Sequence, residues 1–204
     1  MDGVLVENAR YHVQAWLEFA RTHGGSLTER QVIEWMGAPA RDYVRRIFGR
    51  PDMSDAEAEP YAVEKETLYR EIFRPHLKAP EGLVRLLDDV RARGIVCAVA
   101  TGGSRTNVDF VLDGLGVRDR FAAVVDASGY SRGKPAPDCY LKAAEAVGVA
   151  PSEALVFEDA VNGIQAAHAA GMRVVAITGT NPRDVLVSAG AEFVVDSFAE
   201  LRFA

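Results

Sequence analysis

Residues 155–172 read LVFEDAVNGIQAAHAAGM, and this stretch determines the fold class. Its apolar start, Leu155-Val156-Phe157, predicts a short strand that is buried on both faces. Two adjacent acids, Glu158 and Asp159, follow at once. After Asn162-Gly163 the apolar residues recur at helical spacing, which predicts a helix. Acids just past the carboxyl end of a parallel strand lie where open α/β sheets build their sites.

The adjacent acids have two interpretations. Two carboxylates in one crevice repel each other, and a site that keeps both ionised normally supplies a cation. Alternatively, Glu158 and Asp159 are the acidic first turn of a helix, which its dipole favours. The rest of the chain favours the cation.

Composition limits the class of protein. The 204 residues are 49% hydrophobic and 25% charged, which suits one globular unit or a domain with an insertion. A net charge of -6 argues against nucleic acid as a partner. No apolar run approaches a membrane span, and the N-terminus has no signal pattern. Two cysteines without metal-ligand spacing predict free thiols, so we expect a cytoplasmic protein that binds no membrane.

The chain changes character near residue 77. Residues 9–76 read as entirely helical, with predicted helices at 11–23, from Ser26 or Thr28, at 40–48 and at 55–76. Beyond Pro80, strands alternate with helices, the strands being at 95–100, 121–125, 155–157, 174–177 and 193–195. This alternation predicts a doubly wound parallel α/β core, 1–8 with 77–204, and an inserted helical domain, 9–76.

Three predicted loops follow successive strands and carry the functional argument. Thr101-Gly102-Gly103 opens a helix, where a hydroxyl and backbone N–H groups can cradle phosphate, although this triplet is also a good turn. Lys134 lies on a loop stiffened by the next proline and can meet an anion, although a single loop lysine is usually solvated. Together with the acids Glu158 and Asp159, these loops form the set needed for Mg²⁺-assisted phosphoryl transfer.

In order, the motifs DGVLVEN, ATGG, GKPAPD and VFEDAVNGIQAAHAAGM resemble the haloacid dehalogenase superfamily, in its branch with a helical cap inserted after the first motif. The resemblance covers essentially the whole chain, and the last two motifs are the most specific. Within this branch the chain resembles the β-phosphoglucomutase and sugar-phosphate phosphatase group. A Rossmann-like core with a helical cap is therefore expected.

The resemblance implies roles for seven residues of the core. Asp2 matches an acid/base aspartate whose backbone carbonyl also binds the metal. Thr101, with Gly102 and Gly103, matches the phosphate-binding loop, and Lys134 matches the motif lysine. Glu158 and Asp159 match the acidic pair that holds Mg²⁺, with Asp159 preferred as the direct ligand.

One departure from the family pattern concerns the first motif. The family nucleophile lies two residues before Asp2, whereas the sequence begins at Met1. The strand that leads into this motif is also missing, which would leave a gap flanked by unpaired backbone groups. We interpret this as a start at an internal methionine and expect little turnover from the chain as written. An extension ending in Phe-Asp would restore turnover, and the alternative is a truncated, catalytically dead phosphate-binding protein.

The helical domain should select the substrate. His12, Arg41 and Lys65, together with Gly37, resemble cap positions that face the cleft, and Arg41 or Lys65 could meet a phosphate or hydroxyls. Trp16 also resembles such a position, but it lies on the apolar face of its helix and is predicted to be core.

We therefore predict a Mg²⁺-dependent phosphatase of a small phosphorylated metabolite, expected to be a sugar phosphate, that acts as a monomer or a weak dimer. A phosphomutase with the same core remains an alternative, because it differs only in protecting the phospho-enzyme from water. A two-component receiver places its acidic pair first, whereas here the pair comes last. A dehalogenase would need no metal and hence no acidic pair.

Overall fold

The computed structural model describes residues 1–35 and 38–202, which form two compact units. Residues 1–7 and the chain from Leu77 onward form one unit, which we name the α/β unit. Asn8–His76 forms the other, which we name the helical unit. Over the described ranges, no helix has the length and apolarity needed to cross a bilayer.

The helical unit contains α1 (Ala9–Thr22), α2 (Glu29–Glu34), α3 (Ala40–Phe48) and α4 (Asp55–Phe73), followed by a 3₁₀ turn at Arg74–His76. Two of its helices begin at capping boxes, in which Thr28 and Ser54 each accept a hydrogen bond from the backbone three residues on. Such caps satisfy backbone N–H groups that the first helical turn leaves unpaired. Trp16, Phe19 and Val44 lie in the buried core, so the core prediction for Trp16 is confirmed.

The α/β unit alternates strands and helices, as predicted. Its strands are β1 (Ala98–Ala100), β2 (Ala123–Val125), β3 (Leu155–Glu158), β4 (Arg173–Ile177) and β5 (Phe193–Val195). Its helices are α5 (Leu83–Ala92), α6 (Arg105–Gly114), α7 (Asp138–Val147), α8 (Val161–Ala169) and α9 (Arg183–Ser188). The predicted α/β class is confirmed.

All strand pairs are parallel. β1 pairs with β2 in one sheet, and β3, β4 and β5 form a second sheet in that order. Val156 lies opposite Val174 and Ala176 lies opposite Val194. The carboxyl ends of β3, β4 and β5 therefore meet at one edge, where loops can bring polar side chains together.

The strand predictions at 95–100 and 121–125 were too long, since the strands are Ala98–Ala100 and Ala123–Val125. Only Ala98–Ala100 of the predicted strand 95–100 pairs with a neighbour, and Ile95 and Val96 are 48% and 50% exposed. The first residue of β3, Leu155, is also 48% exposed, so burial on both faces was wrong there. An apolar run predicts strand and burial together, but these residues lie at the amino ends of short strands.

The first residues form a tight turn in the α/β unit. Asp2 and Val6 make an isolated parallel bridge, and the Gly3 N–H donates to the Val6 carbonyl at 2.9 Å. Leu5 N–H donates to the Met1 carbonyl at 2.7 Å. Gly3 has a φ of 71°, a left-handed conformation that glycine adopts without strain. The turn places Asp2 beside the loops after β1 and β3.

Candidate active site

Glu158, the last residue of β3, is surrounded by hydrogen-bond donors. Its Oε1 accepts hydrogen bonds from the Lys134 ammonium and from the Tyr140 hydroxyl, the latter at 2.7 Å. Its Oε2 accepts from the backbone N–H groups of Asp159 at 2.9 Å and Ala160 at 3.1 Å. Four donors saturate the carboxylate, which is 4% exposed. A glutamine at this position would place its NH₂ group against other hydrogen-bond donors, whichever way its amide was oriented.

A glycine makes room for this carboxylate. A Cβ built on Gly163 would lie 2.0 Å from the Glu158 Cδ, far inside contact distance. The side chain of Glu158 therefore lies directly against the backbone of α8. The Asn162-Gly163 pair of the motif consequently has a packing role in addition to beginning the helix.

The charges of this cluster are strongly coupled. Burial by itself raises the pKa of Glu158. The Lys134 charge and the hydrogen bonds from Lys134 and Tyr140 lower it by more, so the net pKa lies well below its usual range. Burial and then the charge of Glu158 raise the pKa of the Tyr140 hydroxyl far above its usual range. Tyr140 therefore stays protonated and remains a donor.

Asp159, the first residue after β3, has a raised pKa, whereas that of Glu158 is lowered. It is 7% exposed, and burial followed by the charge of Glu158 raises its pKa to about 6, although a hydrogen bond from Thr180 lowers it. Its backbone carbonyl accepts a hydrogen bond from the Asn181 amide at 2.9 Å. A Cβ on Gly3 would lie 1.8 Å from Asp159 Oδ2, so this carboxylate fills the space left by the missing side chain.

The loop after β1 faces Asp2. Thr101 is 3% exposed, and its Oγ1 accepts a hydrogen bond from Gly103 N–H at 3.0 Å. A Cβ on Gly103 would lie 3.4 Å from Thr101 Oγ1 and 3.5 Å from Asp2 Oδ2. Exposed Gly102 lies between them at the turn into α6. The hydroxyl, the glycine backbone and Asp2 therefore line one small region, in which a side chain on Gly103 would intrude.

The arrangement fits a hard cation better at Asp159 than at Glu158. Burial and then the charge of Glu158 raise the pKa of Asp159, so a cation would stabilise its ionised form, and oxygen ligands suit Mg²⁺. The oxygens of Glu158 already accept four hydrogen bonds. Within the described residues, no group of three or more histidine, cysteine, aspartate or glutamate side chains is suited to hold a metal. A cation here would need backbone or ligand oxygens as well as carboxylates.

The helical unit holds a buried lysine. Lys65 is 2% exposed, and its ammonium lies 2.9 Å from His12 Nδ1 and 2.8 Å from Glu66 Oε1. The Trp16 ring centroid lies 4.8 Å from the same nitrogen. Since an ammonium only donates, His12 Nδ1 must accept. The His12 ring also stacks on Tyr69 at 3.7 Å between centroids.

Arg41, the third predicted substrate contact of this unit, makes other contacts. Its guanidinium pairs with Glu59 at 3.1 Å and with Asp55 at 3.7 Å, all three side chains being at least 41% exposed. Exposed pairs of this kind contribute little and exchange readily. The fourth predicted position, Gly37, lies outside the described residues.

Several residues at the α/β site escaped the sequence prediction. Tyr140 reads as a core aromatic of α7, and the available signal was that a buried tyrosine needs a hydrogen-bond partner. Thr180 and Asn181 follow β4, at the same edge as Asp159. Their signal was position, because a polar loop after a parallel strand reaches the site edge.

Comparisons with known proteins point to one family. The haloacid dehalogenase-like hydrolase family model matches residues 1–171. The validoxylamine A 7'-phosphate phosphatase of Streptomyces hygroscopicus is 30% identical over 208 residues, covering 100% of this chain and 93% of the relative. The fructose-1-phosphate phosphatase of Escherichia coli is 34% identical over 177 residues, covering 86% and 92%. The solved structure of a β-phosphoglucomutase from Clostridium difficile superposes with a TM-score of 0.84 at 29% identity, covering 99% and 90%.

Proposed function

The chain belongs to the haloacid dehalogenase-like hydrolases, and we propose that it is a Mg²⁺-dependent phosphatase of a small sugar phosphate. One observation carries the proposal: a partly buried ammonium–carboxylate pair, Lys134 with Glu158, adjoins Asp159, whose pKa is raised by burial and then by the charge of Glu158. A cation beside Asp159 would stabilise its ionised form, and an anion could then bind to that cation and to the Lys134 ammonium. A phosphate ester with Mg²⁺ supplies both.

The loop after β1 and Lys134 would bind the phosphate. The Thr101 hydroxyl and the backbone N–H groups at Gly102 and Gly103 lie ahead of α6, whose N-terminus favours an anion. Lys134 adds a full positive charge on a side chain that is 17% exposed. These groups would bind the phosphoryl oxygens and stabilise the charge that develops during transfer.

Asp159 and the backbone carbonyl of Asp2 would hold Mg²⁺, with Glu158 beside them. The ion supplies neutralisation of the phosphoryl charge when it is bound. Thr180 and Asn181 hold Asp159 in place through its side chain and its carbonyl. Because both hydrogen bonds come from one loop, the loop after β4 fixes the orientation of the ligand.

Asp2 would transfer a proton to or from the ester oxygen. Its carboxylate lies beside the loop that carries Thr101 and Gly103, where the phosphoryl group would bind. A carboxylate within reach of the leaving oxygen acts as general acid and base. This role needs geometry rather than a metal contact by its side chain.

The helical unit would recognise the rest of the substrate. His12 and Lys65 form one polar cluster, whose charge is buried and fixed by stacking. Arg41 is held only by exposed carboxylates, so it can exchange them for a second anion on the substrate. We propose that the first pair contacts sugar hydroxyls and that Arg41 contacts a distal charge.

The test measures phosphate release from a panel of hexose and pentose phosphates, with Mg²⁺ and with chelator, by the chain extended with residues that end in Phe-Asp before Met1. We expect release that requires Mg²⁺ and is strongest for one or two sugars. Titration of inorganic phosphate, followed by ³¹P NMR, checks the site without turnover. Phosphate that binds equally with and without Mg²⁺ would contradict the proposal.

A phosphomutase is the second candidate, favoured by the similarity to the β-phosphoglucomutase structure. The two functions share every group named above and differ in whether water reaches the phospho-enzyme. Adding a sugar bisphosphate to the panel separates them. Isomerised sugar phosphate without net phosphate release would identify the mutase.

A further inference from the structure

Tyr140 contacts both Lys134 and Glu158. Its hydroxyl donates to Glu158 Oε1 at 2.7 Å, and its ring centroid lies 4.7 Å from the Lys134 ammonium. The side chain is 6% exposed and projects from α7, six residues after the lysine. One side chain therefore binds the carboxylate with its polar end and the ammonium with its ring face.

The hydroxyl and the ammonium share one carboxylate oxygen. Both donate to Glu158 Oε1, while backbone N–H groups occupy Oε2. An ammonium has three donors, so one hydrogen bond to Glu158 leaves others for a ligand. If the hydroxyl were absent, Lys134 would be the remaining side-chain donor to that oxygen. It would then be drawn more completely toward the carboxylate.

Packing alone does not require this hydroxyl. The neighbours of Tyr140 on the buried face of α7 are Cys139, Ala143 and Ala144, and phenylalanine would fill the same volume. Burying a hydroxyl is unfavourable unless it is hydrogen-bonded. Here it is bonded to the most heavily hydrogen-bonded carboxylate described above.

We propose that Tyr140 is a positioning residue that shares the charge of Glu158 and thereby leaves the Lys134 ammonium free to bind a phosphoryl group. The ring face holds the ammonium from one side, and the hydroxyl relieves it of part of the carboxylate charge. The inference rests on the proposed function, in which Lys134 meets phosphate. Tyr140 itself need not touch the substrate.

The experiment compares phosphate affinities of the full 204-residue chain and its variants. Inorganic phosphate is titrated in saturating Mg²⁺ and followed by ³¹P NMR. Tyr140→Phe keeps the ring and removes the hydroxyl, so we expect phosphate affinity to fall about three- to tenfold, the scale of one hydrogen bond. Mg²⁺ affinity, measured by calorimetry, should stay within about twofold.

Tyr43→Phe is the matched control. Tyr43 is 4% exposed, and its hydroxyl donates to the Val32 carbonyl at 3.1 Å within the helical unit. This control also loses a buried tyrosine hydrogen bond but touches neither Lys134 nor Glu158. Its phosphate affinity should equal that of the wild type. Equal affinities for Tyr140→Phe and Tyr43→Phe would overturn the inference.

Lys134→Ala separates this inference from the proposed function. If Lys134→Ala weakens phosphate binding and Tyr140→Phe does not, only the positioning role fails. If Lys134→Ala leaves phosphate binding unchanged, the phosphate role of the lysine fails, and the inference fails with it. Tyr140→Leu, which also removes the ring, should weaken phosphate more than Tyr140→Phe does. The reverse order would contradict a role for the ring.

Discussion

Each unit holds a lysine between a carboxylate and an aromatic ring. Lys134 of the α/β unit meets the carboxylate of Glu158 and a tyrosine ring face at 4.7 Å. Lys65 of the helical unit meets Glu66 at 2.8 Å and a tryptophan ring face at 4.8 Å. In both, a carboxylate supplies the opposite charge and an aromatic face supplies a cation–π contact.

The two lysines differ in how their partners are assembled. The partners of Lys65 lie on α1 and α4 at helical spacing, and Glu66 is the next residue along the chain. The partners of Lys134 come from α7 and from the end of β3, 24 residues away. Glu158 is further anchored by two backbone N–H groups.

The two lysines also differ in exposure. The Lys134 side chain is 17% exposed, and its partner Glu158 precedes Asp159, whose pKa is raised by burial and then by the charge of Glu158. The Lys65 side chain is 3% exposed and lies beside Glu66 and His12. We therefore expect chemistry to depend on Lys134, and we propose that Lys65 affects substrate selectivity through its cluster with His12.

The largest expected effect is that of Lys134→Ala. In the chain extended with residues that end in Phe-Asp before Met1, turnover on sugar phosphates should fall by about 10² or more, the scale for losing one oriented electrostatic donor. The change also leaves the buried Glu158 without its cation, which should destabilise the fold by about 3–5 kcal/mol. Phosphate release and the urea midpoint measure the two effects.

Lys142→Ala is the matched control on α7. Lys142 pairs with Glu145 one turn away, both side chains being more than half exposed, so turnover and stability should be nearly unchanged. Turnover of Lys134→Ala within about twofold of wild type would make Lys134 an ordinary surface lysine. The comparison between the two units would then fail.

Gly163→Ala should destabilise the α/β unit by about 1–3 kcal/mol, because its Cβ would collide with Glu158. This outcome opposes the helix preference for alanine, which alone would stabilise by about 1 kcal/mol. Gly133→Ala is the control, since a Cβ there meets no described atom within 4 Å. A Gly163→Ala protein as stable as the wild type would show that Glu158 is not held against α8.

Asp159→Asn should weaken Mg²⁺ binding by well over tenfold, or at least about 1.4 kcal/mol. Mg²⁺ binding weakens because the substitution removes the negatively charged carboxylate that would hold the ion. Mg²⁺ should raise the melting temperature of the wild type, and chelator should reverse the rise, whereas the variant should respond little to either.

Glu66→Gln makes the same chemical change in the helical unit and should leave the Mg²⁺ response intact. Calorimetry of both variants gives the comparison directly. Unchanged Mg²⁺ affinity in Asp159→Asn would remove Asp159 from the metal site.

The smallest expected effect is that of Lys65→Met. We expect KM for the preferred sugar phosphate to rise about five- to tenfold while kcat stays within about threefold, since contacts remote from the reacting atoms bind ground and transition states alike. Lys142→Met serves as the control in steady-state kinetics. A fall in kcat as large as that of Lys134→Ala would make the two lysines equivalent.

Much of the architecture follows from local sequence. Helical periodicity over residues 9–76 and the predicted strand at 193–195 match the described structure, since these features depend on near neighbours. Strand ends were less predictable, as the exposed Ile95 and Val96 show. Apolar character reports a preference for burial but not where pairing stops.

The sequence alone determined which loops carry polar groups: Thr101 after β1, Lys134 before α7, and the acids after β3. Only the tertiary structure distinguished the two adjacent acids. Glu158 accepts hydrogen bonds from Lys134 and Tyr140. Asp159 lies against Gly3 and accepts a hydrogen bond from Asn181 at its backbone carbonyl. Neighbours at a strand end point in different directions, and their partners lie 18 to 24 residues away or more. Local pattern cannot supply such contacts, because they exist only once the helices and loops pack against the sheet.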